Sequence, residues 1–502
     1  MEILLATGRL AENRVRKIAE RFDNCDVLVA DVDVASCMSP AQLLSKIEDR
    51  GYDLIMVPGA IDWDLRKVEE KSGIKVFKGP KDVADLEFIL ENIGDIRLSK
   101  TVPACVLMQE ELRSKALEEL REVDSKKYRR EMLKKPDNIL VGSLPVGPDF
   151  PIRVLAEIVD ATRLPLNEVK KRAEYFIASG ADMIDIGVNE KDPEGVEEVI
   201  NLLKDLDVPL GIDTMEKRNI EMALERNIDM IMSFDRELLT YFGDIKIPTV
   251  IIPKEGNIPK GPKEKVQILE ENIELARENG FENIIADLIL EPMNFGFTDS
   301  IVAYKNFADR HELPILMGIG NVSELMDADS VGINALLCGI AMECNASIVF
   351  TPEYSDKAKG GVKELASASK MMYLAKKRRS SPKDLGVDLL LLKEKRFKGD
   401  EFDEILYRGA SYIQAKGNEK HGYDPEGFFK IFVDDDIKAV HFRNRKPNLV
   451  ITGKNAKEIS DTIFNLDLVS DMSHAFYLGR ELEKAEIALK TGKSYVQDLD
   501  LF

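Results

Sequence analysis

The sequence predicts an α/β protein with a central (β/α)8 TIM barrel and a smaller domain on either side of it. A chain of 502 residues is too long for a single ordinary core. Apolar runs of strand length alternate with amphipathic helical stretches in two separate series, and the last part of the chain changes to polar alternation. We therefore predict an N-terminal open-sheet domain of the Rossmann or flavodoxin type, the barrel, and a C-terminal α+β domain.

Residues 1–125 are predicted to form the open parallel sheet. Its strands would be the apolar, β-branched runs EILLA, DVLVADV and DLIMVPG, with helices between them. The turns Thr7-Gly8 and Pro58-Gly59 are of a kind that can hold a ligand, but the domain has no GxGxxG, GxxxxGKS or GxxxxGKT sequence. A nucleotide site and a docking or scaffolding role both stay open. The charged segment that follows predicts an exposed linker helix at 126–137.

Residues 138–380 are predicted to form the barrel. Strands and helices alternate throughout this segment, and eight strands in about 240 residues match a (β/α)8 barrel in number and length. A doubly wound open sheet is the alternative. The predicted strands are NILVGSL, DMIDIGV, PLGIDTM, DMIMSF, PTVIIP, NIIADLIL, PILMGIG and SIVFTPE.

Residues 385–502 are predicted to form the C-terminal α+β domain, whose function the sequence does not indicate. The runs DEILYRGASYIQA, GFFKIFVDDDIKAVHFRN and PNLVITGK have the polar alternation of antiparallel strands. Two helices follow, AKEISDTIFNLD and SHAFYLGRELEKAEIALKTG. Ser473 is the predicted N-cap of the second helix, because a serine hydroxyl can bond the free N–H groups of a first turn.

Composition excludes several classes of function. The chain has 90 Asp and Glu against 70 Lys and Arg, a formal charge of −20, which argues against a nucleic-acid partner. No apolar run is long enough to span a membrane, and the start MEILLATGRL lacks the features of a signal peptide, so we expect a cytoplasmic protein. The five cysteines form no CxxC pair and have no histidine nearby in sequence. Neither a metal site nor a disulfide framework is predicted.

Polar residues occur near the ends of several predicted barrel strands, where barrel enzymes place their chemistry. A carboxylate among Ile and Leu is costly to bury unless something pairs with it, and several at one mouth would raise each other's pKa values. The alternative to a binding site is a structural role, in which each aspartate caps the next helix or pairs with a neighbouring lysine. Carboxylates with an amide suit a flat heterocycle with a guanidine-like edge, such as a pterin. The candidates are Asp185, Asp213, Asp287 and Asn321, with Asn189, Glu190, Glu291 and Asn294 in the following loops.

The segment GADMIDIG…PLGIDTMEKRNIEMALERNIDMI resembles the pterin-binding barrels, which include dihydropteroate synthases and methyltetrahydrofolate-type corrinoid methyltransferases. The resemblance covers about residues 140–355, and the whole chain resembles an archaeal group described as dihydropteroate synthase-related. It implies that Asp213 and Asp287 hold the pyrimidine edge of a pterin, with Asp185 on the same floor. Asn189 and Glu291 are further candidate pterin contacts.

The chain departs from the synthase pattern in three places. Gly320-Asn321-Val322 stands where synthases have Ser-Arg-Lys, SIVFTPEYSDK lacks their Arg-x-His anion site, and GVNEKDPEG lacks their Ser-Thr-Arg loop. Asn321-Val322-Ser323 resembles the Asn-Val-Ser stretch of the methyltransferases, whose asparagine reaches the pterin N5. The chain also departs from both the synthases and the methyltransferases at one position, where Met232-Ser233 replaces a pterin-contacting Asn. The resemblance therefore implies catalytic roles for Asn321 and Asp287.

We accordingly expect an enzyme of archaeal C1 metabolism, a transferase acting on tetrahydromethanopterin or a related reduced pterin, with N5-methyl transfer as its reaction. One alternative is a dihydropteroate synthase-like C–N condensation in methanopterin biosynthesis. Another is a non-catalytic pterin-binding carrier.

A corrinoid would arrive on a partner methyl-acceptor protein. The run DMSHAFYLG contains Asp471, His474 and Gly479, but these residues do not have the Asp-x-His-x-x-Gly spacing of base-off cobalamin domains. Whether the protein forms a homodimer stays an open question at this point.

Overall fold

The structure is a computed structural model, and it describes residues 1–47, 51–395, 409–416 and 423–502. The chain divides into two compact units, Met1–Lys398 and Gly399–Phe502. The first unit contains an open parallel sheet and a closed eight-stranded parallel barrel, and the second contains a three-stranded sheet with two helices. The predicted fold class is confirmed. The finer domain boundaries stay predictions.

The N-terminal sheet has four parallel strands in the order β2-β1-β3-β4. Strand β1 is buried along its whole length because both faces of the sheet are covered: Ile3 and Leu5 pack on one face, and Leu4 and Ala6 pack on the other. The fourth strand was not predicted, since a lysine stands at each of its ends. The elements are β1 Ile3–Thr7, α1 Glu12–Ala19, β2 Cys25–Val29, α2 Pro40–Leu44, β3 Leu54–Val57, α3 Arg66–Ser72, β4 Lys75–Lys78 and α4 Leu86–Glu91.

Two charged helices lead to the barrel, α5 Ala104–Val123 and α6 Lys126–Met132. Helix α6 lies within the predicted linker at 126–137. Helix α5 is more than an exposed linker, because Met108 is buried in the core of the open sheet and Ala116 is buried in the core of the barrel. Its Glu119 also pairs with Arg378 at 3.0 Å. The helix therefore joins the two cores through small apolar positions within a charged sequence.

The barrel is closed, with the strand order β7-β8-β9-β10-β11-β12-β13-β14 and β14 paired back to β7. Its strands are β7 Arg153–Ile158, β8 Met183–Gly187, β9 Leu210–Asp213, β10 Met230–Phe234, β11 Thr249–Ile251, β12 Ile284–Asp287, β13 Ile315–Gly318 and β14 Ala346–Thr351. The surrounding helices are α7 Leu166–Ser179, α8 Pro193–Leu203, α9 Lys217–Glu225, α10 Arg236–Tyr241, α11 Pro262–Glu278, α12 Phe297–Ala308, α13 Gly320–Ser323, α14 Ser330–Glu343 and α15 Gly361–Arg378.

The predicted first barrel strand, NILVGSL, is wrong. This segment forms an antiparallel hairpin of β5 Ile139–Val141 and β6 Leu144–Val146. Val141 and Val146 are fully buried in the apolar cluster inside the barrel, so the hairpin fills the barrel interior instead of joining its wall. The true first strand, β7, begins at Arg153, and this charged residue breaks the apolar run that the prediction required.

The hairpin should therefore contribute strongly to stability. We expect Val146→Ala to lower the free energy of unfolding by about 2 kcal/mol, because it removes two buried methyl groups and leaves a cavity. Leu140→Ala is the matched control in the same hairpin, since Leu140 is 46% exposed and its truncation should change stability little. Chemical denaturation of both variants measures the difference. Equal losses would mean that the hairpin does not fill the barrel.

The second unit has an antiparallel sheet in the order β15-β16-β17, covered by two helices. Its elements are β15 Phe428–Val433, β16 Ile437–Arg443, β17 Lys446–Gly453, α16 Ala456–Asn465 and α17 Met472–Thr491.

The sequence predictions for this unit hold in part. The run DEILYRGASYIQA lies partly outside the described residues, and its described part, 409–415, forms no strand. Asp471, and not Ser473, caps α17, because its carboxylate accepts the N–H of His474 at 3.0 Å. Across the described ranges, no helix is both long enough and apolar enough to cross a membrane.

Candidate functional site

The carboxyl ends of the barrel strands bring four of the predicted residues to one mouth. Asp185 lies in β8, Asp213 ends β9, Asp287 ends β12, and Asn321 lies in α13 directly after β13. All eight strands are parallel, so these positions share one end of the barrel. The alternative reading of the aspartates as helix caps is wrong, because the caps of the next helices are Asp192, Glu216 and Gly296.

Strand alternation decides which side chains point into the barrel. In β7, Leu155 packs inside the barrel, whereas Val154 and Ala156 pack between the strands and the helices. The period of two therefore places Glu157 on the inside, one layer nearer the mouth than Leu155. Apolar side chains thus fill the lower layer, and carboxyl groups lie above them.

Asp185 is a fully buried carboxyl group whose two oxygens have no hydrogen-bond partner among the described residues. It lies in register with Glu157 and Gly211, and a Cβ atom at Gly211 would come within 2.9 Å of Asp185 Oδ1. Burial, and then the nearby Asp213 and Glu157, raise the pKa of Asp185 well above its ordinary value. The floor of the mouth therefore holds a buried carboxyl group whose charged form is disfavoured and whose hydrogen-bonding capacity is unused.

Glu157 belongs to the same cluster, and sequence reasoning missed it. Burial, and then the charges of Asp213 and Asp160, raise the pKa of Glu157 to about 8. Its carboxyl packs over Gly187, where a Cβ atom would lie 2.2 Å from Oε1. The available signal was a glutamate in the run RVLAEIV, but the strand itself had not been recognised. Glu157 is therefore a second carboxyl group that holds its proton at neutral pH.

This raised pKa predicts an unusual dependence of stability on pH. An unfolded chain loses the glutamate proton near pH 4.5, whereas folded Glu157 keeps it until about pH 8. Between these values the folded state binds more protons, so the free energy of unfolding falls as pH rises. We expect the melting temperature of the wild type to fall between pH 5 and 8.5. In Glu157→Gln this fall should be smaller by several degrees. Glu225→Gln, at an exposed position of α9, should keep the wild-type profile. Parallel curves for wild type and Glu157→Gln would contradict the assignment.

Asp213 is partly exposed at the mouth, and the hydroxyl of Ser233 supports it. Burial raises the pKa of Asp213, while the hydrogen bond from Ser233 opposes that rise. Ser233 lies in β10 with a φ of 65°, a left-handed conformation that is uncommon for a serine inside a strand. The backbone at this position is held in a strained conformation beside the carboxylate. Met232 points into the apolar interior, so only the serine is available to the site.

Asp287 is held by two donors on one of its oxygens. The hydroxyl of Tyr304 and the N–H of Ile289, the latter at 2.8 Å, both donate to Oδ1. Burial raises the pKa of Asp287 to about 6, and these two hydrogen bonds limit the rise. Ile289 has a φ of 61°, a strained value for a β-branched residue. The arrangement fixes Oδ1 and leaves Oδ2 for a ligand.

Asn321 is exposed, and its amide is oriented by the neighbouring loop. Its Nδ2 donates to the carbonyl oxygen of Leu290 at 2.9 Å. The side-chain oxygen Oδ1 is then the group that a ligand can meet, and this oxygen can only accept a hydrogen bond.

Glu291 and Asn189 already have partners within the protein. Glu291 accepts from Lys265 Nζ at 2.7 Å, and this fully buried lysine also donates to the carbonyl of Ile289. Sequence reasoning missed Lys265, since KEKVQ looks like any solvated helix face. Asn189 donates to Asp160 at 3.1 Å in the loop after β8. The structure thus places both residues in loop-holding contacts, and their contact with a pterin stays a prediction.

Two family models match the ends of the chain. A model described as PterinBD-DUF4346 matches residues 423–498, and a family of unknown function, DUF6513, matches residues 1–81. A solved dihydropteroate synthase from Xanthomonas albilineans aligns with 47% of this chain and 95% of its own chain, at 19% identity and a TM-score of 0.39.

Two sequence relatives extend the comparison. A dihydropteroate synthase from Clostridium beijerinckii is 27% identical over 177 residues, which cover 30% of this chain and 65% of the synthase. The uncharacterized protein MJ0107 from Methanocaldococcus jannaschii is 40% identical over 531 residues, covering 100% of this chain and 99% of its own. The protein therefore belongs to the same family as MJ0107, and this family is related to the dihydropteroate synthases.

Proposed function

We propose that this protein binds a reduced pterin in the barrel mouth and transfers the methyl group from its N5 atom. The observation that carries the proposal is the carboxyl cluster of Asp185, Asp213 and Asp287, with the neutral amide of Asn321 beside it. A pterin presents its 2-amino group and N3–H as two parallel donors, and one carboxylate can accept both. The substrate we propose is tetrahydromethanopterin or a related reduced pterin.

The contacts of the carboxyl cluster suggest a different role in pterin binding for each carboxyl group. Asp213 is accessible and would accept the parallel donors of the pyrimidine edge, while Asp287 Oδ2 would take a further ring donor. Asp185 is fully buried beneath them, and its unpaired oxygens would meet a ligand group or water that enters the floor. The strained backbone at Ser233 and Ile289 keeps the neighbouring carboxyl groups in place before the ligand arrives.

Methyl transfer requires a proton at N5. The bond between N5 and the methyl carbon breaks, the methyl group goes to a nucleophilic acceptor, and the electron pair stays on N5, which must be protonated. Asn321 Oδ1 is an acceptor and would bond the N5–H of the activated substrate. Glu157, with a pKa of about 8, carries a proton in the range where such a step needs one.

The acceptor would be a reduced corrinoid on a partner protein, or a thiolate. In the second unit, His474 donates from Nδ1 to Asp424 Oδ2 at 2.9 Å, and Asp424 also accepts hydrogen bonds from Glu426, Ser470 and Asp471. This histidine is engaged in holding the start of α17, which favours a corrinoid carried by another chain.

A dihydropteroate synthase-like condensation is the second candidate, favoured by the similarity to such synthases. That reaction releases diphosphate, which needs cations near the reacting carbon. Around the mouth, Lys265 is paired with Glu291, Arg163 with Glu190, and Lys254 with Asp235. These pairings leave less positive charge for a diphosphate, and they favour methyl transfer. A non-catalytic pterin carrier would use the same pocket without turnover.

Calorimetry with two ligands separates these functions. We expect the full-length protein to bind N5-methyl-tetrahydromethanopterin and to bind a hydroxymethylpterin diphosphate much more weakly. Tight binding of the diphosphate alone would overturn methyl transfer. Incubation with the methylated pterin and with either a reduced corrinoid protein or a thiol should then release the demethylated pterin. Binding without methyl loss to any acceptor would identify a carrier.

A further inference from the structure

The N-terminal sheet has a cleft at the carboxyl ends of its strands. The cleft has a cavity volume of about 100 Å³ and opens where β1, β3 and β4 end. We call it the switch-point cleft, and its lining includes Thr7, Ala11, Met56, Pro58, Lys81 and Leu86. Most of this lining belongs to residues 1–81, which are matched by a family of unknown function.

The topology of the sheet puts this cleft where open parallel sheets bind ligands. The strand order is β2-β1-β3-β4, so the chain leaves β1 toward one edge and returns through β3 toward the other. The connections after β1 and β3 therefore lie on opposite faces, and a crevice opens between them. This argument depends on strand order alone and needs no sequence motif.

The loop glycines argue against a phosphate cradle in this cleft. A Cβ atom at Gly8 would lie 2.7 Å from the carbonyl oxygen of Asp33. A Cβ atom at Gly59 would lie 2.5 Å from the carbonyl oxygen of Gly79. These glycines therefore serve the close packing of one loop on another. The volume admits no more than one small ring system at the open end of the cleft and is too small for a dinucleotide.

The lining is apolar except at two points. Thr7 is 2% exposed, and within the described ranges its hydroxyl makes only a long contact of 3.4 Å with the carbonyl of Gly8. Lys81 is exposed and has no ion-pair partner among the described residues. The neighbouring cation Arg9 is paired with Asp31 and Asp33. A ligand that completes this cleft would have an apolar body and a single negative charge.

We propose that the switch-point cleft is a second small-molecule site, separate from the barrel mouth, that binds a monoanion with one apolar ring system. The ring packs between Met56 and Leu86, the Thr7 hydroxyl donates to a polar atom of the ligand, and the Lys81 ammonium pairs with its acidic group. This site is independent of the pterin proposal, because it uses no residue of the barrel.

The test uses naphthalene-2-carboxylate as the probe and the full-length protein. We expect binding to one site in the wild type, an affinity at least tenfold lower in Lys81→Gln, and no binding in Ala11→Phe, which fills the cleft. Lys67→Gln is the matched control, since Lys67 is an exposed lysine of the same domain outside the cleft. Circular dichroism and the melting temperature should match the wild type in every variant used.

The site is located by the methyl resonance of Met56 in protein labelled at methionine methyl groups, assigned by Met56→Leu. This resonance should shift on addition of the probe. Absence of binding to the wild type at millimolar probe, undiminished binding in folded Ala11→Phe, or an unshifted Met56 methyl group would overturn the proposal. Equal affinity for the uncharged naphthalene-2-carboxamide would overturn the role of Lys81.

Discussion

Asp213→Asn is expected to lower the affinity for a reduced pterin by about 100-fold or more. The carboxylate offers two acceptor oxygens to two parallel donors, and the amide would turn one of these acceptors into a donor facing a donor. A loss of this size corresponds to about 3 kcal/mol, as for a charged hydrogen-bonding group removed from a desolvated site. Titration calorimetry with tetrahydromethanopterin measures the change.

The same substitution should not weaken the fold. Burial disfavours the charge of Asp213, and the hydrogen bond from Ser233 offsets this in part, so a neutral side chain should keep or raise the melting temperature. A variant that binds poorly yet melts at or above the wild-type temperature would identify a ligand contact. Asp205→Asn, at an exposed position before β9, is the matched control and should change neither quantity. Wild-type affinity in Asp213→Asn would place the pterin elsewhere.

From the sequence we could predict the part of the candidate site that stands out from its local surroundings. Asp185, Asp213 and Asp287 each interrupt an apolar strand, and this contrast is visible without a structure. Tyr304 gave no such signal, because it lies in a helix and its role depends on a hydroxyl that meets Asp287 across the barrel wall. Lys265 likewise looks like a surface residue until the fold buries it. Groups that act through long-range contacts need the three-dimensional structure.

The position of the first barrel strand was missed for a related reason. An apolar run of strand length can join a barrel wall or fill its interior, and only packing decides between the two. Here Val141 and Val146 fill the interior, and the wall is completed by a strand with Arg153 at one end and Glu157 near the other. Those two charges made the true strand look irregular. One of them, Glu157, is a member of the candidate site, so a residue of that site concealed the strand that carries it.

Asn321→Ala is expected to slow methyl transfer by about 100-fold while changing pterin affinity by less than about threefold. The substitution removes the acceptor Oδ1 proposed for N5–H, a group that matters most when N5 becomes protonated. The pyrimidine edge would still bind through Asp213 and Asp287. Single-turnover kinetics with the methylated pterin, compared with calorimetric affinity, separates the two effects.

A purely structural role for Asn321 gives a different pattern. Its Nδ2 also bonds the carbonyl of Leu290, so loss of that bond alone would move the loop after β12 and weaken binding together with rate. Asn321→Asp keeps an oxygen acceptor but loses this donor, so it should recover much of the rate if the acceptor is what matters. Asn306→Ala, an exposed amide of α12, should behave as wild type. Equal losses of affinity and rate in both Asn321 variants would assign the residue to the loop, because a group that acts only on the reacting atom cannot weaken the ground-state complex.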